Sequence, residues 1–168
     1  THEGQAIRFE ENKVRAMGRT AYGVKGIELE KKDYVVGMIV VKRDTSILTV
    51  SELGFGKRSE ISEYRVTNRG GKGIINIKTE GRNGGVIGVK FISGDEGVML
   101  ITGKGMIIRT RSTEISTMGR NTQGVRLIQT DDGDQLVSIA RLAEKDESTE
   151  TTDTAEGEAP TETPGSES

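Results

Sequence analysis

Apolar residues in this chain fall into short runs of four to seven positions, rich in valine and isoleucine and bounded by glycine, aspartate and asparagine. The runs Gly73-Ile-Ile-Asn-Ile77, Val86-Ile-Gly-Val-Lys-Phe-Ile92, Val98-Met-Leu-Ile-Thr102, Met106-Ile-Ile-Arg-Thr110 and Leu136-Val-Ser-Ile-Ala-Arg-Leu142 have the length and composition of sheet strands. No stripe with the 3.6-residue helical period extends far enough to form a helix. Turn residues at Gly103-Lys-Gly105 separate two of the runs. The segments Asn83-Gly84-Gly85 and Ser93-Gly94-Asp95-Glu96-Gly97 predict two further hairpin connections.

The pattern recurs. Gly4, Gly54 and Gly105 form one column, Arg8, Arg58 and Arg109 a second, and Gly23, Gly73 and Gly124 a third, with steps of 50 and then 51 residues. A register held at three positions through three copies identifies a repeat protein with units near residues 1–44, 45–95 and 96–143. About four short strands per unit predict an all-β, propeller-like array of about three blades. The aligned positions Ile27/Ile77/Ile128 and Val14/Tyr64/Ile115 are the expected blade core, with Ile47/Val98, Leu48/Met99 and Val50/Ile101 beside them. Only three residues precede Gly4, so the first unit lacks a leading strand and the chain reads as part of a longer protein.

Composition divides the chain in two. Residues 144–168 hold nine acidic side chains, one lysine and both prolines, with no large apolar residue. Such a segment cannot offset its chain entropy by burial, which predicts a disordered tail. Its balance of −8 masks a body, residues 1–143, with 23 basic and 17 acidic side chains and a balance of +6. The chain lacks cysteine and any long apolar span, so it reads as a soluble intracellular protein.

The basic charge is also in register. Arg8, Arg58 and Arg109 make one arginine column, and Arg19, Arg69 and Arg120 another, with Lys13, Arg15, Lys57, Arg65, Lys72, Arg111 and Arg126 nearby. One arginine per repeat makes a row of spaced cations, the arrangement that suits a phosphate backbone read without base contacts. In Thr67-Asn-Arg-Gly-Gly-Lys-Gly73, flexible backbone N–H groups lie beside Arg69 and Lys72. A competing reading pairs the arginines with repeated acids such as Glu63 and Glu114.

Catalytic patterns are missing. His2 is the sole histidine, expected exposed and idle at a frayed end, and no nucleophile elbow or Walker motif is present. Asp131-Asp-Gly-Asp134 lacks the spacing of a calcium loop and reads as a hairpin turn.

Three stretches closely resemble the C-terminal domain of the bacterial DNA gyrase A subunit. They are Val14-Arg-Ala-Met-Gly-Arg19 with Gly23-Val-Lys-Gly-Ile27, Gly54-Phe-Gly-Lys-Arg58 with Glu63-Tyr64, and the run from Arg109 to Val125 that contains Ser116-Thr-Met-Gly-Arg-Asn-Thr-Gln-Gly124. The resemblance covers residues 3–143, and an acidic tail also fits it. It implies a β-pinwheel, six-bladed in the family and partial here, whose basic rim wraps double-stranded DNA through contacts that ignore sequence. Wrapping serves ATP-dependent negative supercoiling by a type II topoisomerase of two A and two B subunits. By the same resemblance the cleavage tyrosine and the ATPase lie elsewhere. This chain is then expected to hold no catalytic residue, metal or cofactor (ATP and Mg serve the whole complex) and to be cytoplasmic and nucleoid-associated. The implied DNA contacts are Arg8, Arg19, Arg58, Arg69, Lys72, Arg109, Arg120 and Arg126. The family's wrapping motif, Gln-Arg-Arg-Gly-Gly-Lys-Gly in the first blade, is matched at Arg69, Gly70, Gly71, Lys72 and Gly73 but in a later blade. Topoisomerase IV domains and propeller-type protein scaffolds are the alternatives.

The opposed charges of body and tail carry a prediction. Deleting residues 144–168 should strengthen DNA binding in a low-salt titration, because the tail competes with phosphate for the same cations. Unchanged affinity and salt slope would reject that competition.

Overall fold

The computed structural model describes residues 1–42 and 44–142; the acidic tail lies outside them. Among the described residues nine strands run in chain order: β1 (Gln5–Ala6), β2 (Ser46–Ser51), β3 (Phe55–Glu60), β4 (Ile74–Ile75), β5 (Val86–Ile92), β6 (Gly97–Thr102), β7 (Ile107–Arg111), β8 (Val125–Arg126) and β9 (Leu136–Leu142). They form sheets ordered β1-β4, β5-β2-β3-β8 and β7-β6-β9, with antiparallel pairing throughout. The all-β, blade-like expectation holds.

Repetition is visible in detail. One-turn 3₁₀ segments at Glu11–Lys13, Ile61–Glu63 and Ser112–Glu114 occupy equivalent positions. The pairing of β2 with β5 shifts register between Val50 and Ser51, and that of β6 with β9 between Ile101 and Thr102, one period later.

Two of the three sheets nevertheless draw on two units, not one. In the second blade, β2 and β3 form a hairpin whose outer edge pairs with β8 from the third unit, while β5 returns to the far side of β2. Likewise β1 of the first unit pairs with β4 of the second, Gln5 opposite Ile75 and Ala6 opposite Ile74. The expected hairpins at Asn83–Gly85 and Ser93–Gly97 are therefore crossovers: β5 and β6, which flank the latter, lie in different sheets. Turn-forming residues specify a chain reversal but not which strand lies beyond it.

The core forms between the second and third blades. Leu48, Val50 and Ile92 meet Val98, Leu100, Leu136 and Ile139, with Ile115 and Ile128 from the connecting segment. Burying each such side chain contributes about 1.5–3 kcal/mol. Gly88 keeps the sheets close, since a Cβ there would lie 3.2 Å from Ile139. The predicted core positions divide by unit. Tyr64, Ile77, Ile115 and Ile128 are buried, whereas Val14 is 40 % exposed and Ile27 half-buried. Residues 35–41, aligned with β5, likewise expose Met38 and Val40. The first unit has the right residues but lacks the strands that cover them elsewhere.

Glycine geometry shows how one unit enters the next. Gly54 has φ 82°, and a Cβ there would lie 2.4 Å from the Ile128 carbonyl oxygen. Gly105, in the same column, has φ 90° and meets nothing within 4 Å. We predict that Gly54→Ala lowers unfolding free energy by about 3 kcal/mol, from clash plus strain, and Gly105→Ala by about 1 kcal/mol, from strain alone. Urea denaturation of both variants measures the difference.

Candidate nucleic-acid interface

The arginine columns sit at the junctions between units. After Gly4 and Gly54 the chain runs along the following unit. The Gly4 carbonyl accepts from the N–H groups of Asn76 and Ile77 at 2.8 and 3.3 Å, and that of Gly54 from Leu127 and Ile128 at 2.8 and 3.2 Å. Four residues on, the Arg8 carbonyl accepts from Thr67 at 2.8 Å; Arg58 donates to Ser116 at 3.1 Å and accepts from Met118 at 2.9 Å. The side chains then turn onto the carbonyls beside the 3₁₀ segment. Arg8 Nη1 donates to Ile61 at 3.0 Å and Tyr64 at 3.1 Å, and Arg58 Nε donates to Ile115 at 2.8 Å. A guanidinium, with five donors and permanent charge, suits carbonyls with acceptor capacity to spare where a helical turn ends, and that of Ile61 accepts from the Tyr64 N–H as well.

The second column reaches the opposite way. Arg69 donates to the carbonyls of Lys13, at 3.2 Å, and Lys25, and Arg120 Nη1 to that of Ile75 at 2.9 Å. Lys25 and Ile75 are themselves repeat equivalents, so each arginine holds the same point of the preceding unit. Arg8, Arg58, Arg69 and Arg120 are half-buried at these seams, while Arg19 and Arg109 are exposed and have no polar partner among the described residues. The acid pairing considered for these columns is not what the structure contains. None of the four ion pairs among the described residues involves either column.

Lys72 is exposed beside Glu30 at 3.8 Å, a separation worth little in water. A cleft of about 160 Å³ is lined by Arg8, Arg65, Thr67, Asn68 and Lys72, so three cations drawn from two units surround one depression. Arg126 is exposed with its guanidinium 5.2 Å from the centre of the Phe55 ring, and Arg82 lies 4.7 Å from it. Arg82 falls outside the repeat register, which is why column alignment does not find it.

Two positions correct the sequence reading. Lys57, grouped there with the surface cations, is fully buried, with Nζ donating to the carbonyls of Gly119 at 2.7 Å and Arg120 at 2.6 Å. Its repeat equivalents are Ile7 and Ile108, so its place is an apolar one, and the ammonium serves the seam. His2 is not at a frayed end: its ring stacks on Tyr34 at 4.7 Å and packs against Gly85. Residues 131–134 form a turn but no hairpin, since β8 and β9 lie in different sheets, and hydrogen bonds to Asp134 from Thr102 and from the N–H groups of Lys104 and Gln135 hold its carboxyl below the usual range. Among the described residues no three potential metal ligands cluster, and no helix is long and apolar enough to cross a membrane.

Burial lowers the Lys57 ammonium from 10.5 to about 8, opposed by Glu63 and aided by Arg120. Between those values the unfolded chain keeps a proton that the folded chain releases, so stability should rise with pH across that window. Below it both states are charged and the cost of burying the ammonium is felt in full. The Tyr64 phenol, raised by burial, acts with opposite sign only near and above its ordinary value of 10. Urea midpoints from pH 7.5 to 9.5 should therefore increase, and Lys57→Met should remove most of the increase, the Thr1 amino group, lowered by burial, supplying the rest.

Comparison with known proteins matches the chain in three segments. The family described as DNA gyrase C-terminal domain, beta-propeller, matches residues 1–42, 45–93 and 98–143. The DNA gyrase A subunit of Salmonella typhimurium is 46 % identical over 141 residues, which cover 84 % of this chain and 16 % of the relative. That of Escherichia coli is 45 % identical over 157 residues, or 94 % and 18 %. The chain thus spans less than a fifth of the length of these relatives. A solved gyrase A C-terminal domain superposes with a TM-score of 0.78 at 29 % identity, over 84 % of this chain and 48 % of that one. A topoisomerase IV C-terminal domain gives 0.78 at 23 % identity, which shows the shared fold. In sequence, repeat register and fold, this chain belongs to the DNA gyrase A C-terminal domain family.

Proposed function

We propose that this chain binds double-stranded DNA along its exposed cations and bends it without reading its sequence, as part of a gyrase A subunit. The observation that carries the proposal is the family membership joined to cations placed once per repeat. In this reading Arg19, Arg109, Lys72 and Arg126 make the freest phosphate contacts, since their side chains are exposed. Arg8, Arg58, Arg69 and Arg120 set the spacing between blades and offer phosphate whatever donors the seam carbonyls leave. Gyrase B and the rest of gyrase A would supply strand cleavage and ATP hydrolysis, in a tetramer of two A and two B subunits, with ATP and Mg used there. Action on chromosomal DNA would place the complex in the cytoplasm, at the nucleoid.

Magnitudes are consistent with this. Bending 20–30 bp of DNA costs about 1–6 kcal/mol, and counterion release from several phosphates can offset it. About five neutralised phosphates would make log K fall with log salt at a slope of roughly −4.5. Changing Arg19, Lys72 and Arg126 together to alanine should flatten that slope by about 2.7, measured by fluorescence anisotropy on a mixed-sequence duplex at several salt concentrations. An unchanged slope in the folded triple variant would exclude these residues as the phosphate contacts. Salt-insensitive binding of a protein ligand, with no DNA affinity, would favour the scaffold reading.

A further inference from the structure

Building on the DNA-binding reading, we infer that the seam between the first and second units holds a seat for one phosphate group, gripped by Arg8, Arg65 and Lys72 together. On that reading the group is a backbone phosphate of bound DNA; a free phosphate has the same chemistry and is the other source. The seat is the cleft of about 160 Å³. Both of its walls lie within the chain, Ala6 to Arg8 of the inserting segment on one side and Arg65 to Ile74 of the receiving segment on the other. Liquid water takes about 30 Å³ per molecule, so the cleft has room for a phosphate group.

Donors line this cleft and no carboxylate does. Arg8 engages the carbonyls of Ile61 and Tyr64 through Nη1 alone among the contacts described, which leaves its Nε and Nη2. Arg65 is exposed and has no polar partner among the described residues. Lys72 meets Glu30 at 3.8 Å with both side chains largely in water, a pair worth little and readily exchanged for a phosphate. The N–H groups of Gly71 and Lys72, both on the cleft lining, donate to nothing among the described residues. Three positive charges around one depression suit a group that spreads negative charge over several oxygens, and the guanidinium fork matches phosphate geometry.

The second seam shows that joining two units does not require these cations. One period on, Ser116 and Gln123 stand where the first seam has Arg65 and Lys72, yet the same strand pairing and the same bridge form, Arg58↔Thr117 in place of Arg8↔Val66. Ile7, which lines the cleft, is replaced there by Lys57, whose ammonium is bound to the carbonyls of Gly119 and Arg120. The second seam thus holds its additional charge inside the joint. The first seam carries its own at the surface, around an open cleft.

A seat at one seam and not at the next makes the rim uneven. Cations spread singly let a duplex slide along them, since each phosphate is equivalent to the next. Three groups converging on one phosphate fix it at one place, so the path of the duplex over the protein is pinned at the first seam. The contact reads no base, and sequence preference is therefore not required.

The test uses the 168-residue chain with two probes, inorganic phosphate and a mixed-sequence duplex. The variants are Arg65→Ser, Lys72→Gln and both together, which install the residue types of the second seam. At constant ionic strength, phosphate should shift the amide resonances of Gly71 and Gly73 saturably. The double variant should lose those shifts and keep the circular dichroism spectrum, and Lys72→Arg should behave as the unsubstituted chain. Each single change should weaken duplex binding about tenfold, and the pair by well under a hundredfold, because groups that grip one phosphate do not act independently. Phosphate shifts together with losses that do not multiply assign the seat to the DNA backbone. Phosphate shifts without duplex affinity would keep the seat, give it to free phosphate and reject the DNA reading. Duplex binding with no response to phosphate, and with losses that multiply, would overturn the seat and leave the DNA reading standing.

Discussion

The architecture depends on the insertion of a short strand from one repeat into the following one. A glycine at positive φ brings the backbone against a neighbouring carbonyl, and an arginine four residues later ties the far end to carbonyls beside a 3₁₀ turn. Neither part suffices alone. With a side chain at the glycine the strand cannot approach, and without the arginine the turn carbonyls lose their guanidinium donor. Packing of Leu48, Val50, Val98 and Leu100 supplies most of the apolar burial, but it becomes possible only once the seams fix adjacent blades at one spacing.

This explains how much was legible in the sequence. The glycine and arginine columns and the strands β5, β6, β7 and β9 all follow from period and pattern, since both are local properties of the chain. The exchange of strands between units is not local. A run such as Gly124-Val-Arg-Leu-Ile128 looks the same whether it pairs within its own repeat or with β3 of the one before. The surroundings of Lys57 were hidden for a related reason. Charge on a strand bounded by glycines suggests a surface, and only the carbonyls of Gly119 and Arg120 make burial of an ammonium tolerable.

The arginine columns were conspicuous because they recur, and recurrence alone does not separate a ligand-facing residue from a joint. In this fold the half-buried members of the columns are joints. A guanidinium that holds two blades together lies at their boundary, where spacing along the rim is set, and it can keep donors free: Arg58 engages its carbonyl through Nε alone among the contacts described. Residues such as Lys72, Arg82 and Arg126 fall outside the two arginine columns and are exposed, although Arg82 and Arg126 lie over Phe55 of the inserted segment. Exposure, more than recurrence, therefore separates a free cation from a joint.

A repeat array held by nearest-neighbour seams also has uneven stability along its length. The middle unit is gripped on both sides, by β1 at β4 and by β8 at β3. The first unit is gripped on one side, and its aligned core residues Val14 and Ile27 are correspondingly less buried than Tyr64 and Ile77. Nothing in the residues of the first unit distinguishes it as the weak one. Its glycine column, its 3₁₀ turn and its apolar run at residues 35–41 are those of a blade. What it lacks is contact, and in this architecture contact between units, more than the content of any unit, determines where the fold is firm.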